Sequence, residues 1–142
     1  MSMAKALIFG SPEPSVQYTE RRAAYVVVAT DGKVAMVKEW QKYFLPGGGS
    51  VPGEAPEDTV AREVNEELAR RVRLIHKIGE AIQYFYSTAD DRHYQMLATF
   101  FAGEFTDEPS SGTGEHELHW LPLMESELAC FHACHAWAVR QA

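Results

Sequence analysis

Cysteine is scarce: Cys130 and Cys134 are the only two, four apart in a segment whose pattern predicts a helix. Helical Cβ atoms at that spacing lie too far apart for an unstrained disulfide. A disulfide-stapled scaffold is therefore excluded, and a reducing cytoplasmic setting is expected. Long apolar runs are missing too. Within Met1–Gly10 the run Ala6–Phe9 is too short for a signal-peptide core and far too short to span a bilayer, so no membrane partner is expected. No long run of one charge occurs, and the formal net charge of −7 leaves no basic face for displacing counterions from duplex nucleic acid. Repeats and low-complexity tracts are absent as well. What is present, 46% apolar and 23% charged residues in a chain of 142, suits one globular domain over 1–142 with one core.

The elements follow from pattern and turn chemistry. Arg22–Thr30 is β-branched and apolar and predicts a buried strand. Asp31-Gly32 is a hairpin turn, with Val34–Trp40 returning antiparallel. Leu45–Glu54, LPGGGSVPGE, is a glycine-rich loop expected to form neither helix nor regular strand. Pro56 opens a helix to about Ala69, with Glu57 and Asp58 at its positive end. Val72–Ser87, bent at Gly79, and His93–Phe105 read as paired strands around a turn at Ala89–Arg92. Thr106–Glu117 reads as a mobile loop, Trp120–Leu123 as a short strand, and Met124–Arg140 as one closing amphipathic helix. Interspersed strands and helices predict an α+β fold, a mixed sheet with helices on its faces.

At ~100° per residue, Glu63, Glu66 and Glu67 share one side of the Pro56 helix, beside an apolar stripe of Val60, Ala61, Val64 and Leu68. Gathering like charges at these spacings opposes helix formation unless a cation neutralises them. Several oxygen ligands on one rigid face suit a hard ion such as Mg²⁺, which keeps some waters and shares substrate phosphates. A solvated acidic face is the plainer reading of the triplet alone. The adjoining loop decides between them. Gly48 and Gly53 have P-loop spacing, but Glu54 and Ala55 replace the required Lys and Ser/Thr. Ser50 follows two glycines, yet Pro52 replaces the last glycine of a nucleophile elbow. A glycine loop ending in an acid and leading into an acidic helix points instead to metal-bridged phosphate.

Gly48, Glu54, Arg62, Glu63, Val64, Glu66 and Glu67 fall at the spacings of the Nudix box: Gly, five residues, Glu, seven residues, then Arg-Glu-apolar-x-Glu-Glu-x-Gly-apolar. The chain resembles the Nudix hydrolases (MutT-related) in this box and in its order of elements. The resemblance implies an α/β/α sandwich, with the box helix and a C-terminal helix packed on the sheet. It also implies hydrolysis of a pyrophosphate linkage in a nucleoside diphosphate derivative such as a nucleoside triphosphate, dinucleoside polyphosphate or nucleotide sugar. Mg²⁺ or Mn²⁺ is the implied cofactor, with Glu63 and Glu67 the foremost ligands, then Glu66 and the Gly48 carbonyl. Glu54 and Arg62 match positions that pair to brace the loop. The family uses no single general base; Glu63 is one candidate, Glu115 or Glu117 from the late loop the other. Lys38 and Arg21 or Arg22 are candidate phosphate contacts, and Phe44, Tyr84, Tyr86 and Tyr94 candidate stacking residues. Tyr86 stands sixteen residues past the box, where diadenosine-polyphosphate hydrolases tend to carry tyrosine.

Ala69 and Arg70 depart from the box, which has Gly and an apolar residue there. An alanine resists the left-handed turn that glycine makes at a helix end. The helix is accordingly expected to run on into Arg70 and Arg71, bringing Arg70 to Glu66. The cluster CFHACH, Cys130–His135, has residue types that bind zinc, but spread round one helix they do not supply a tetrahedral set. Two rival functions remain: a nucleotide-sensing module without turnover, which usually loses box carboxylates that this chain keeps, and an isoprenoid diphosphate isomerase, which wants a cysteine near the cleft. A homodimer is compatible with the sequence.

Overall fold

The computed structural model describes residues 7–142. Ala6, with most of the Met1–Gly10 segment read above, lies outside them. The elements are β1 (Leu7–Phe9), β2 (Thr19–Thr30), β3 (Lys33–Glu39), β4 (Lys42–Phe44), β5 (Gly47–Gly49), α1 (Pro56–Leu68), β6 (Arg71–Ser87), β7 (Arg92–Thr106), β8 (Leu118–Pro122), α2 (Leu123–Ala129) and α3 (Ala133–Gln141). The strands form one mixed sheet in the order β1-β6-β7-β2-β3-β4, with β5 paired to β2 and β8 to β3. The β2–β7 pairing is parallel, and the β6–β7 hairpin is antiparallel with register shifts at Leu74/His76 and Lys77/Gly79. The second shift falls beside Gly79, where the sequence suggests a bend.

β2 is continuously apolar because both its faces are covered. Ala24, Val26 and Val28 pack against Val60 and Val64 of α1. Ala23, Tyr25 and Val27 pack in the opposite layer with Cys134, Ala138 and Val139 of α3. This is the expected α/β/α sandwich. Burial of Val60 and Val64 contributes roughly 1.5–3 kcal/mol each, which fixes this side of α1 on the sheet, whereas Ala61 of the predicted stripe is exposed. Among the described residues no helix is long and apolar enough to cross a membrane.

Three expectations are corrected. Gly47–Gly49 forms a regular strand against Ala23–Tyr25. Glycine permits it: at Gly47, with φ 139°, an added Cβ would lie 2.2 Å from the Ala24 carbonyl oxygen. The closing helix is two helices, broken at Cys130–His132, where the Phe131 N–H donates to the Tyr43 carbonyl at 2.9 Å and ties the chain to β4. Cys130 and Cys134 thus stand on different segments, both as free thiols. Third, α1 ends where the box pattern ends. Ala69 takes the left-handed turn itself, with φ 53° and ψ 43°, its N–H bonded to the Asn65 carbonyl. The Arg70 guanidinium lies 4.9 Å from the centre of the Phe105 ring, and the ion-pair partner of Glu66 is Arg62. The reason lies in the late segment between β7 and β8. The Glu115 and His116 N–H groups donate to the Glu66 and Glu67 carbonyls at 3.1 and 2.9 Å, filling acceptors that a continuing helix would have used.

Two buried histidines are expected to make this fold acid-sensitive. Burial, reinforced by Arg21 and Lys42, lowers the His132 pKa from 6.5 to about 4. Burial, with His132 adding, lowers that of His135. Above pH 6.5 both rings are neutral whether folded or unfolded. Below it the unfolded chain takes up protons that the folded chain refuses. The unfolding midpoint is therefore expected to fall as pH drops from about 6.5 toward about 4, and His132→Phe to flatten part of that fall. A midpoint equally steep in His132→Phe would show that other groups set the acid limit.

Candidate active site

Three elements build the site. β5 forms the floor, α1 supplies carboxylates along one wall, and the segment before β8 closes the far side. Arg21, Glu39, Phe44, Glu63, Glu67 and Glu115 are among the residues round this cleft, whose volume is about 360 Å³. The Glu63 carboxylate lies directly over Gly48, where an added Cβ would come within 2.8 Å of its Cδ. Only glycine gives the carboxylate that room.

Arg62 is the brace. Its Nε and Nη2 donate to the two oxygens of Glu54 at 2.9 and 3.0 Å, and Nη2 also donates to the Gly49 carbonyl at 2.9 Å. Nη1 reaches Glu63 at 2.9 Å and Glu66 at 3.5 Å. The Arg62 fork holds the Glu54 carboxyl down at about 2, with the Thr59 hydroxyl helping. Thr59 and Ser50 share a hydroxyl contact of 2.7 Å that fastens the end of the loop to the first turn of α1.

Glu67 is different. It is 9% exposed, and its Oε1 accepts the Gly47 N–H at 3.1 Å. Burial is the main cause that pushes its carboxyl from 4.5 up to about 8, with Glu63, Glu39 and Glu115 adding to the rise. Burial likewise raises Glu63, against the opposing pull of Arg62. Among the described residues no cation pairs with Glu67. Among the described residues, as the side chains stand, no three His, Cys, Asp or Glu groups converge on one point, and Arg62 draws Glu63 and Glu66 toward itself. A buried acid that has one N–H for a partner among the described residues, set among other carboxylates and over a glycine cradle, fits a hard divalent cation.

The structure brings Glu63, Glu66, Glu67, Gly48, Arg21, Phe44 and Glu115 to one cleft. It does not bring Glu117 there. That side chain is 88% exposed, its nearest charged partner being His119. Glu117 instead lines the neighbouring cleft with Lys38 and His119. Lys38 faces a neighbouring cleft, its ammonium 5.5 Å from the centre of the Tyr43 ring. Tyr86 lines a third, aromatic cleft that also borders Phe44. Sequence reasoning missed Tyr25, Glu39, Trp40 and His116 around these clefts. It also missed His135, whose buried Nδ1 accepts the Leu45 N–H at 3.1 Å and anchors the glycine segment from the opposite layer. No local motif marks these residues; tertiary packing alone brings them in.

Comparison with known proteins agrees with this geometry. The family model described as NUDIX domain matches residues 19–140. A MutT NUDIX hydrolase from Burkholderia pseudomallei is 24% identical, over 87% of this chain and 98% of that one, with a TM-score of 0.63. A MutT protein from Methanosarcina mazei Go1 is 22% identical, over 89% and 95%, with a TM-score of 0.66. An ADP-ribose pyrophosphatase from Streptococcus suis is 16% identical, over 85% and 90%, with a TM-score of 0.60. At these identities the structures show a shared fold. No curated protein sequence matches the chain.

Proposed function

The chain belongs to the NUDIX hydrolase family, and from that premise we propose that it is a divalent-metal-dependent hydrolase of a pyrophosphate linkage in a nucleoside diphosphate derivative. The observation that carries this is Glu67, buried with its carboxyl raised to about 8 in a cleft that also holds Glu63, Glu66 and Glu115. Mg²⁺ or Mn²⁺ would be held by Glu63 and Glu67, with Glu66 and the Gly48 carbonyl beside them. Such an ion neutralises phosphate charge and makes water more acidic.

The protein's own groups do the rest. Arg21, on β2 at the cleft wall, makes no ion pair among the described residues and is placed to hold a phosphate oxygen. Arg62 and Glu54 keep the β5 floor still, so that a bound phosphorus stays in line for attack. Glu115 is exposed to the cleft, and its carboxylate has no hydrogen-bond partner among the described residues. It is the better placed of the bases to take a proton from the attacking water, since Glu63 is engaged by Arg62. Glu115→Gln is then expected to lower kcat by roughly ten- to a hundredfold with metal half-saturation unchanged, and Glu117→Gln to leave kcat as it is. An unaffected Glu115→Gln would return the proton to Glu63.

The test of the function is a panel of nucleoside triphosphates, dinucleoside polyphosphates, ADP-ribose and nucleotide sugars with Mg²⁺ or Mn²⁺. Products would be followed by phosphate, pyrophosphate or monophosphate release. Turnover abolished by EDTA and restored by metal is the expected result. Turnover persisting in EDTA would refute the metal, and nucleotide binding without turnover on any member would refute the hydrolase.

A further inference from the structure

Two further clefts border the acidic one. One, of about 500 Å³, is lined by Lys42, Phe44, Phe85, Tyr86 and Phe131, and it borders the acidic cleft through Phe44. The second, of about 320 Å³, is lined by Lys38, His116, Glu117 and His119 and borders the acidic cleft through Glu115 and His116. Trp40 belongs to both outer clefts. It stands at the tip of the β3–β4 hairpin, where Glu39 pairs with Lys42 and only Trp40 and Gln41 make the turn.

That turn is unusual. Both residues have positive φ, 53° and 63°, as a two-residue hairpin of this hand requires, and Asn-Gly is what normally fills it. A bulky aromatic there is a backbone outlier that packing must hold in place. Its ring does not earn its position by joining the core, because Trp40 is 76% exposed. The aromatic branch nearby is equally unspent: Tyr86 and Phe131 are 41% and 38% exposed, and the Lys42 ammonium sits 4.3 Å from the centre of the Phe131 ring. A planar base stacks on such faces. The other branch offers the Lys38 ammonium, two imidazoles and the carboxylates of Glu115 and Glu117, with no aromatic platform besides Trp40, which suits a sugar that both donates and accepts hydrogen bonds.

We propose that Trp40 divides the substrate's two ends, directing an aromatic base into the Phe44–Tyr86 branch and a hydroxyl-bearing sugar into the Lys38–His116–His119 branch. The substrate class is then an asymmetric nucleoside diphosphate derivative with one base and one polar end, and molecules with a base at both ends are poor fits. This rests on the hydrolase reading for the position of the pyrophosphate, but the base-binding half is tested without turnover. AMP, added to metal-free protein, is expected to quench tryptophan fluorescence. The quench is lost in Trp40→Phe, which leaves Trp120 and Trp137, and Phe44→Ala weakens AMP binding about tenfold. With metal, ADP-ribose is expected to exceed diadenosine tetraphosphate at least tenfold in kcat/KM, a preference that Trp40→Ala reduces. Lys38→Ala is expected to raise KM for ADP-ribose while kcat holds. A quench without turnover on any substrate would sink the hydrolase and leave the base site standing. Turnover without a quench would overturn the division, as would equal rates on the two substrates or a preference unmoved in Trp40→Ala.

Discussion

Glu67→Gln is expected to remove most turnover, by roughly a hundredfold or more, while the metal-free protein unfolds no more easily than the wild type. The two halves of this result have one cause. At 9% exposure the Glu67 carboxylate is desolvated, and among the described residues only the Gly47 N–H compensates it. Glutamine keeps the shape and keeps an oxygen to accept that N–H. It deletes the acid, which helps the empty site by removing a carboxyl that burial and the neighbouring Glu63, Glu39 and Glu115 force to take up a proton on folding, and harms the loaded site by removing an anionic ligand. A residue that mattered only for folding would show the opposite pairing, with a lower unfolding midpoint and activity near normal per folded molecule. Steady-state rates at saturating Mg²⁺, beside thermal unfolding in EDTA, separate the cases. Activity within a few-fold of wild type in Glu67→Gln would sink the metal-ligand assignment.

The site was legible in the sequence as far as it rests on one helix and the loop before it. Helical spacing alone puts Glu63, Glu66 and Glu67 on one side of α1, and the Glu54–Arg62 pair forms as the family resemblance implies. Legibility stops where a second element decides. Helix propensity argued that Ala69 would not turn left-handed, but two backbone bonds from Glu115 and His116 to the last turn outweigh a conformational cost of about 1–2 kcal/mol. Gly47–Gly49 reads as loop because glycine has no strand preference, yet pairing with β2 and the crowding at Gly47 require it there. Periodicity ran through Cys130–His132 unbroken, and only the bond from Phe131 to Tyr43 shows why the helix stops. Trp40-Gln41 carries none of the Asn-Gly chemistry that announces a two-residue turn, so the hairpin and both outer clefts stayed hidden.

Arg62→Met gives the second large effect, and its sign on metal binding is what makes it informative. Arg62 does two things that pull against each other. It fixes the floor through Glu54 and the Gly49 carbonyl, and it holds Glu63 and Glu66 away from a common point. Removing it frees two carboxylates for a cation but lets the β5 floor drift, and a displacement of about 1 Å at a reacting centre costs on the order of a hundredfold in rate. The expected outcome is a kcat lower by roughly ten- to a hundredfold, with metal half-saturation unchanged or improved. Arg62→Lys should recover little, because one ammonium cannot replace a guanidinium that meets both oxygens of Glu54 at 2.9 and 3.0 Å. Glu54→Gln should lower kcat by itself, and Arg62→Met added to it should cost less than in the wild type, since the brace is already broken. Additive losses in that cycle would mean that Arg62 acts through the Glu63 and Glu66 carboxylates, and weakened metal binding in Arg62→Met would mean that it orders the ligands for the cation.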